Sequence, residues 1–149
     1  MLADAGLRVL LLDLDSQPTL SSYFALGESR EGGSYELIAQ RLTAHEQVIS
    51  TTVIQHLDLI VSNDRAGHIS TLLLHAADGR LRLRNLLPAF EDHYDVLIID
   101  TQAHAAWWWR WSSSPPLALC ARSHRKCLPR ASCVAVRLAC SKNWSPTAT

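Results

Sequence analysis

Arg8-Val9-Leu10-Leu11-Leu12-Asp13-Leu14-Asp15-Ser16-Gln17 is the stretch on which the fold turns. Val9–Leu12 is apolar without polar alternation, the pattern of a strand covered on both faces, as in a parallel sheet. The run closes on Asp13, and the chain then leaves as a loop carrying Asp15, Ser16 and Gln17 before Pro18. Outward from it, Leu57-Asp58-Leu59-Ile60-Val61 reads as a second strand and Tyr94–Asp100 as a third, again ending in Asp. Helical signals lie before and between them. Met1–Ala5 is a stub that Gly6 closes, and residues 19–26 start a helix. Ser34 suits the N-cap of a helix over Tyr35–Leu42. Leu72–His75 and Leu81–Phe90 carry helical spacing, the latter with Leu83, Leu86, Leu87 and Phe90 on one face. Strands alternating with helices predict an α/β fold, a partial doubly wound parallel sheet with right-handed crossovers. Ligands of such sheets sit beyond the carboxyl ends of the strands, where Asp13, Asp15 and Asp100 are all placed.

The composition excludes some functions and divides the chain. Across 149 residues, 48% apolar and 19% charged describe a globular protein rather than a disordered one. No apolar run reaches the roughly 20 residues of a membrane span, and no basic-then-apolar leader opens the chain. The net charge of zero conceals two unlike parts. Residues 1–100 hold all fourteen acids against seven arginines and no lysine, a net −7. Residues 101–149 hold seven basic residues and no acid, together with all five Trp and all four Cys. A Cys-free body agrees with a reducing cytoplasm.

Magnesium held against a phosphate chain takes hard oxygen ligands, with one or two carboxylates holding its water shell. Leu97-Ile98-Ile99-Asp100 has the Walker B arrangement, a carboxylate at the rim of a dry sheet. Alone it says little, because many buried strands end in Asp where a turn begins. Asp13-Leu14-Asp15-Ser16-Gln17 is more specific, since two acids and an amide within five residues seldom serve packing.

The segments LADAGLRVLLLDLDSQ (2–17), LDLIVSN (57–63) and YDVLIIDTQ (94–102), in that order, resemble the ParA/Soj group of deviant-Walker P-loop ATPases, close to the ParA-like proteins of mobile elements. The likeness covers residues 1 to about 102, and D-x-D-x-Q is its most specific part. The resemblance implies a P-loop NTPase fold, ATP hydrolysis with Mg²⁺, an ATP-dependent homodimer, nonspecific DNA binding and a ParB-type partner that stimulates turnover. By motif, Asp15 matches the carboxylate that positions the attacking water, and Asp13 the acid linked to the Mg²⁺ shell. Asp100 matches the Walker B acid acting through Mg-bound water, and Gln17 lies in the switch segment on the nucleotide side. Ser16 and Gln102 stand where the group usually has Pro. The larger departure is that the 149 residues contain no G-x-x-x-x-G-K-[ST]. Met1 matches a position inside the helix that follows that loop, so the reading expects a chain truncated at its N-terminus. Each charge-assisted hydrogen bond to phosphate contributes about 1.5–3 kcal/mol. Losing three removes about 4.5–9 kcal/mol, or roughly three to six orders of magnitude in affinity. ATP is therefore not expected to bind tightly or to be hydrolysed by this chain.

The second part, residues 103–149, reads as an out-of-frame tail without a native fold, irregular or disordered. Cys120, Cys127, Cys133 and Cys140 lack any C-x-x-C pair, which argues against a zinc knuckle. Trp107-Trp108-Trp109-Arg110-Trp111 beside the basic residues suits an alternative function, a non-catalytic nucleic-acid-binding protein stacking bases on that strip. Codon arithmetic favours the frameshift. Tryptophan is always TGG, so reading one base earlier turns the second and third of the run into valine codons. The same shift permits an amphipathic, acid-containing helical sequence over 124–146. His45, His56, His68, His75 and His93 are scattered without ligand spacing.

Overall fold

The computed structural model describes residues 2–102, 119–121 and 131–137. A 3-10 turn over Ala3–Ala5 opens it and closes on Gly6, whose left-handed backbone (φ 80°) sends its N–H to the Ala3 carbonyl. The elements that follow are β1 (Val9–Asp13), α1 (Thr19–Tyr23), β2 (Leu26–Glu28), α2 (Ser34–Ala39), α3 (His45–Val48), β3 (Ser50–Thr52) and β4 (Leu57–Ile60). Then come α4 (His68–His75), α5 (Gly79–Leu86), a 3-10 turn over Leu87–Phe90 and β5 (Val96–Gln102). Two strands in the tail, β6 (Leu119–Ala121) and β7 (Ala131–Arg137), complete the described chain.

The strands form one sheet in the order β2-β3-β4-β1-β5-β7-β6. Its centre, β4-β1-β5, is parallel, as the uninterrupted apolar runs predict. The flanks are not: β2 and β3 on one side, and β7 and β6 on the other, pair antiparallel. The reason on the first side is chain length. Only residues 53–56 join β3 to β4, too few for the dozen or so that a parallel crossover needs, so the two form a hairpin. On the second side, β7 borders β5 antiparallel. It runs beside β5 over seven register pairs, from Val96 with Arg137 to Gln102 with Ala131. Val134 and Val136 give this stretch two β-branched residues, a type that suits a strand.

Alternation along β1 and β5 builds two cores. Leu10, Leu12, Ile60, Leu97 and Ile99 face α2, α4, α5 and the second 3-10 turn, and meet Leu37, Ile38, Ile69, Leu73 and Phe90. Val9, Leu11, Leu57, Leu59 and Val96 face the other way, against Ala3, with Leu20 and Phe24 at the margin. Each fully buried leucine contributes about 1.5–3 kcal/mol by leaving water. Leu83, Leu86, Leu87 and Phe90 are all buried, as their spacing predicts. The α-helical ladder ends before Pro88, which has no N–H to continue it. No described helix is long and apolar enough to cross a membrane.

Ser34 does not cap α2. It is the first residue of that helix, its N–H goes to the Val61 carbonyl, and its buried Oγ has no hydrogen-bond partner. Gly33 is the N-cap, and its N–H is held by Glu36 Oε2 at 2.8 Å.

Candidate functional site at the carboxyl rim of the central strands

Asp13, the last residue of β1, and Asp100, the fifth of seven in β5, are register partners on adjacent parallel strands, so the two rim acids stand side by side. Counting back by twos along each strand puts both on the face of Val9, Leu11 and Val96. Asp13 is fully buried and Asp100 is 5% exposed. The N–H of Leu14 bonds to the Asp100 carbonyl at 2.9 Å, which carries the β1–β5 ladder one residue past Asp13.

The Asp13 carboxylate shapes the loop that follows it. Oδ1 accepts the Asp15 N–H at 3.1 Å, and Oδ2 accepts both the Ser21 N–H at 2.8 Å and the Ser21 hydroxyl at 2.7 Å. Burial pushes its pKa above the ordinary value, and the bonds from Ser21 and Asp15 only partly pull it back. A cation at the rim would lower it again. Asp15 is half-buried in the loop, where its Oδ1 accepts the Gln17 N–H at 2.8 Å in a turn of Asx type. Gln17 is exposed, and its carbonyl accepts the Thr19 N–H and hydroxyl. The loop thus brings Asp15 and Gln17 to the same rim as Asp13 and Asp100, with Gln17 outermost.

Two serines that sequence reading passed over complete this arrangement. Ser62, just beyond β4, donates its hydroxyl to the Asp15 carbonyl and its N–H to Ser21 Oγ at 3.1 Å. Neither carried a signal: Ser21 is one of a Ser-Ser pair, and Ser62 sat in a turn-rich tripeptide. Nearby, Glu36 has its pKa held below the ordinary value. Desolvation raises it, but the bonds from Asn63 and from the Gly33 N–H outweigh that.

These donors fit one half of a metal–nucleotide site. Carboxylate oxygens at a dry rim suit Mg²⁺, which keeps several waters and takes one or two carboxylates. Asp13 Oδ2 already accepts two hydrogen bonds and Oδ1 one, so a single lone-pair direction remains, on Oδ1, and a water-mediated link suits it better than direct ligation. Among the described residues, no group of three or more His, Cys, Asp or Glu side chains converges on a metal position. Three arginines of the described residues are engaged in ion pairs away from this rim. Arg8 is bound to Asp95 at the opposite, amino end of β1 and β5, and Arg41 and Arg82 are bound to Asp78.

The family model described as "AAA domain" matches residues 1–106. Over 100 residues the chain is 32% identical to "Cell division protein PomZ" of Myxococcus xanthus (strain DK1622), covering 66% of this chain and 31% of that protein. It is 34% identical over 100 residues to "Chromosome-partitioning ATPase Soj" of Treponema pallidum (strain Nichols), covering 66% and 38%. The chain therefore spans about a third of the length of these relatives. Among solved structures, it is similar to cobyrinic acid a,c-diamide synthase from Mycobacterium smegmatis with bound ADP and magnesium, at a TM-score of 0.56 and 26% identity, covering 66% of this chain and 40% of that one. The activities named for these three proteins differ, whereas the stretch aligned with each is of similar extent. With the family match spanning residues 1–106, the chain belongs to the AAA domain family, as a ParA/Soj-like P-loop ATPase relative.

Proposed function

We propose that this chain carries the metal-side half of a ParA/Soj-type nucleotide site and serves, by descent, a partitioning ATPase of a plasmid, chromosome or mobile element. The observation that carries the reading is the register pairing of Asp13, at the end of β1, with Asp100 of β5. In this reading Asp13 and Asp100 hold the Mg²⁺ shell through water, Asp15 orients the attacking water, and Gln17 lies on the nucleotide side. A ParB-type partner, nonspecific DNA and an ATP-dependent homodimer belong to the same proposal. The 149 residues contain no phosphate-binding loop, and residues 1–100 contain no lysine. The polypeptide of this sequence therefore binds Mg-ATP weakly and does not turn it over. Phosphate release by the purified 149-residue chain tests this: the expected rate is that of buffer. Turnover that Asp15→Ala abolishes would overturn the loss of activity while upholding the role of Asp15.

Residues 103–149 are proposed to be out of frame. The family match ends at residue 106, close to where the residue types change, which supports that reading. A single-base insertion or deletion near codons 102–106 is expected in the gene. An uninterrupted ancestral frame through this region would contradict it.

A further inference from the structure

We infer that Ser62 is a positioning residue for the acidic loop, holding Asp15 directly and Asp13 through the Ser21 hydroxyl. Its side chain and its backbone act on the same loop from one point on the end of β4. The hydroxyl donates to the Asp15 carbonyl, and the N–H donates to Ser21 Oγ at 3.1 Å. Ser21 Oγ has one proton, and it donates that proton to Asp13 Oδ2 at 2.7 Å. The donor directions therefore run in series, from Ser62 N–H through Ser21 O–H to the Asp13 carboxylate. Ser62 is 7% exposed, so water does not readily replace it in either bond.

The neighbours of Ser62 fix its own position. Asn63 accepts the Tyr35 N–H at 2.9 Å and donates to Glu36 Oε2 at 2.6 Å, which ties the tripeptide to α2. Asp64 accepts the His68 and Ile69 N–H groups at 2.9 and 2.6 Å, which ties it to the start of α4. Three consecutive residues thus anchor three different elements, and only Ser62 reaches the acidic loop. Without its hydroxyl, the loop keeps its local turn and the main-chain bond from residue 62 to Ser21, but the Asp15 carbonyl loses its tie to the end of β4. The functional weight of this role rests on Asp13 and Asp15 serving the metal side proposed above.

The test uses the full 149-residue chain as wild type, Ser62→Ala, Ser62→Thr and Ser21→Ala. Amide hydrogen exchange is followed at Asp15, Gln17 and Ser21, with His68 and Ile69 as internal references. Ser62→Ala removes the hydroxyl but keeps the main-chain N–H to Ser21, so it is expected to speed exchange at Asp15 and Gln17 by about tenfold or more, with the references changed by less than about twofold. Ser62→Thr, which keeps the hydroxyl, is expected to restore the wild-type rates. Ser21→Ala is expected to give the same pattern by breaking the series at its middle, and it carries the test where Ser62→Ala does not fold. Rates at Asp15 and Gln17 that stay within about twofold of wild type overturn the role. So does an equal rise at the α4 references, which marks global loosening instead. Mn²⁺ binding read by electron paramagnetic resonance separates the two proposals. A wild-type chain that fails to bind Mn²⁺, yet shows the exchange pattern, retires the metal-side reading and leaves the positioning role standing. Mn²⁺ binding that Asp100→Asn weakens, alongside unchanged exchange in both serine variants, retires the positioning role alone.

Discussion

Replacing Ser34 by alanine separates two opposite accounts of the start of α2. If the Ser34 hydroxyl capped the helix, as its place before an apolar helical run suggests, the substitution would cost about 0.5–2 kcal/mol. The structure puts that hydroxyl inside the protein with no hydrogen-bond partner, and the residue is fully buried. A buried hydroxyl that has left water and found no acceptor costs about 1–3 kcal/mol. Alanine removes that cost and adds a few tenths of a kcal/mol in helix propensity. Against this stands the small void left by one oxygen, up to about 1 kcal/mol. The main-chain bond from the Ser34 N–H to the Val61 carbonyl is untouched by the change. The net expectation is a gain of about 0.5–1.5 kcal/mol, equivalent to roughly 2–5 °C in Tm for a chain of this size. Urea unfolding followed by far-ultraviolet circular dichroism measures it. Ser50→Ala is the matched control: Ser50 is equally buried, but its Oγ accepts the Arg30 N–H at 3.0 Å, so its loss should destabilise by about 1–2 kcal/mol. A Ser34→Ala protein less stable than wild type by about 0.5 kcal/mol or more would refute the reasoning.

Other substitutions probe the framework around the rim. Gly33→Ala places a Cβ 2.3 Å from the Val61 carbonyl oxygen, and because the backbone there is extended the penalty is steric. A loss of at least about 2 kcal/mol is expected, and a neutral result would mean that the loop after β4 yields easily. Asp64→Ala leaves the His68 and Ile69 N–H groups without their carboxylate and should cost about 1.5–3 kcal/mol, with Asp64→Asn recovering part of it in thermal unfolding. His45 supplies a pH dependence. Desolvation first, then the His93 ring with its centroid 4.2 Å away, hold the His45 pKa below its ordinary 6.5. The folded state therefore favours the neutral ring, whose contribution is whole above about pH 6.5 and is lost as pH falls through the folded value. His45→Gln should flatten the decline in stability below that pH, and parallel stability–pH curves for the two proteins would count against it.

The central strands were legible because burial on both faces leaves a run of apolar residues that few other elements produce. Val9–Asp13 and Leu57–Ile60 fall within a residue of their expected limits. The strand expected over Tyr94–Asp100 runs instead from Val96 to Gln102. Asp13 and Asp100 were legible for the same reason, since each closes such a run. The short strands β2 and β3 were not, because three residues hold no period and their antiparallel pairing depends on the path of the chain rather than on composition. The four-residue helix α3 was too short to show one either. At the rim, side-chain type was informative but hydrogen-bond direction was not. Nothing in the letters distinguishes Ser21 and Ser62, which bind the acidic loop, from Ser34, which binds nothing through its hydroxyl. Arg82 shows the same limit: it alternates with leucines like a solvated face, yet its guanidinium forks onto Asp78 and reaches the Ile38 carbonyl.

Isothermal titration of Mg-ATP into the purified 149-residue chain tests the central claim most directly. Metal-side carboxylates without a phosphate cradle predict no saturable heat up to millimolar nucleotide, a loss of at least about three orders of magnitude against an intact site. Saturable binding at micromolar concentration, weakened by Asp100→Asn, would contradict it.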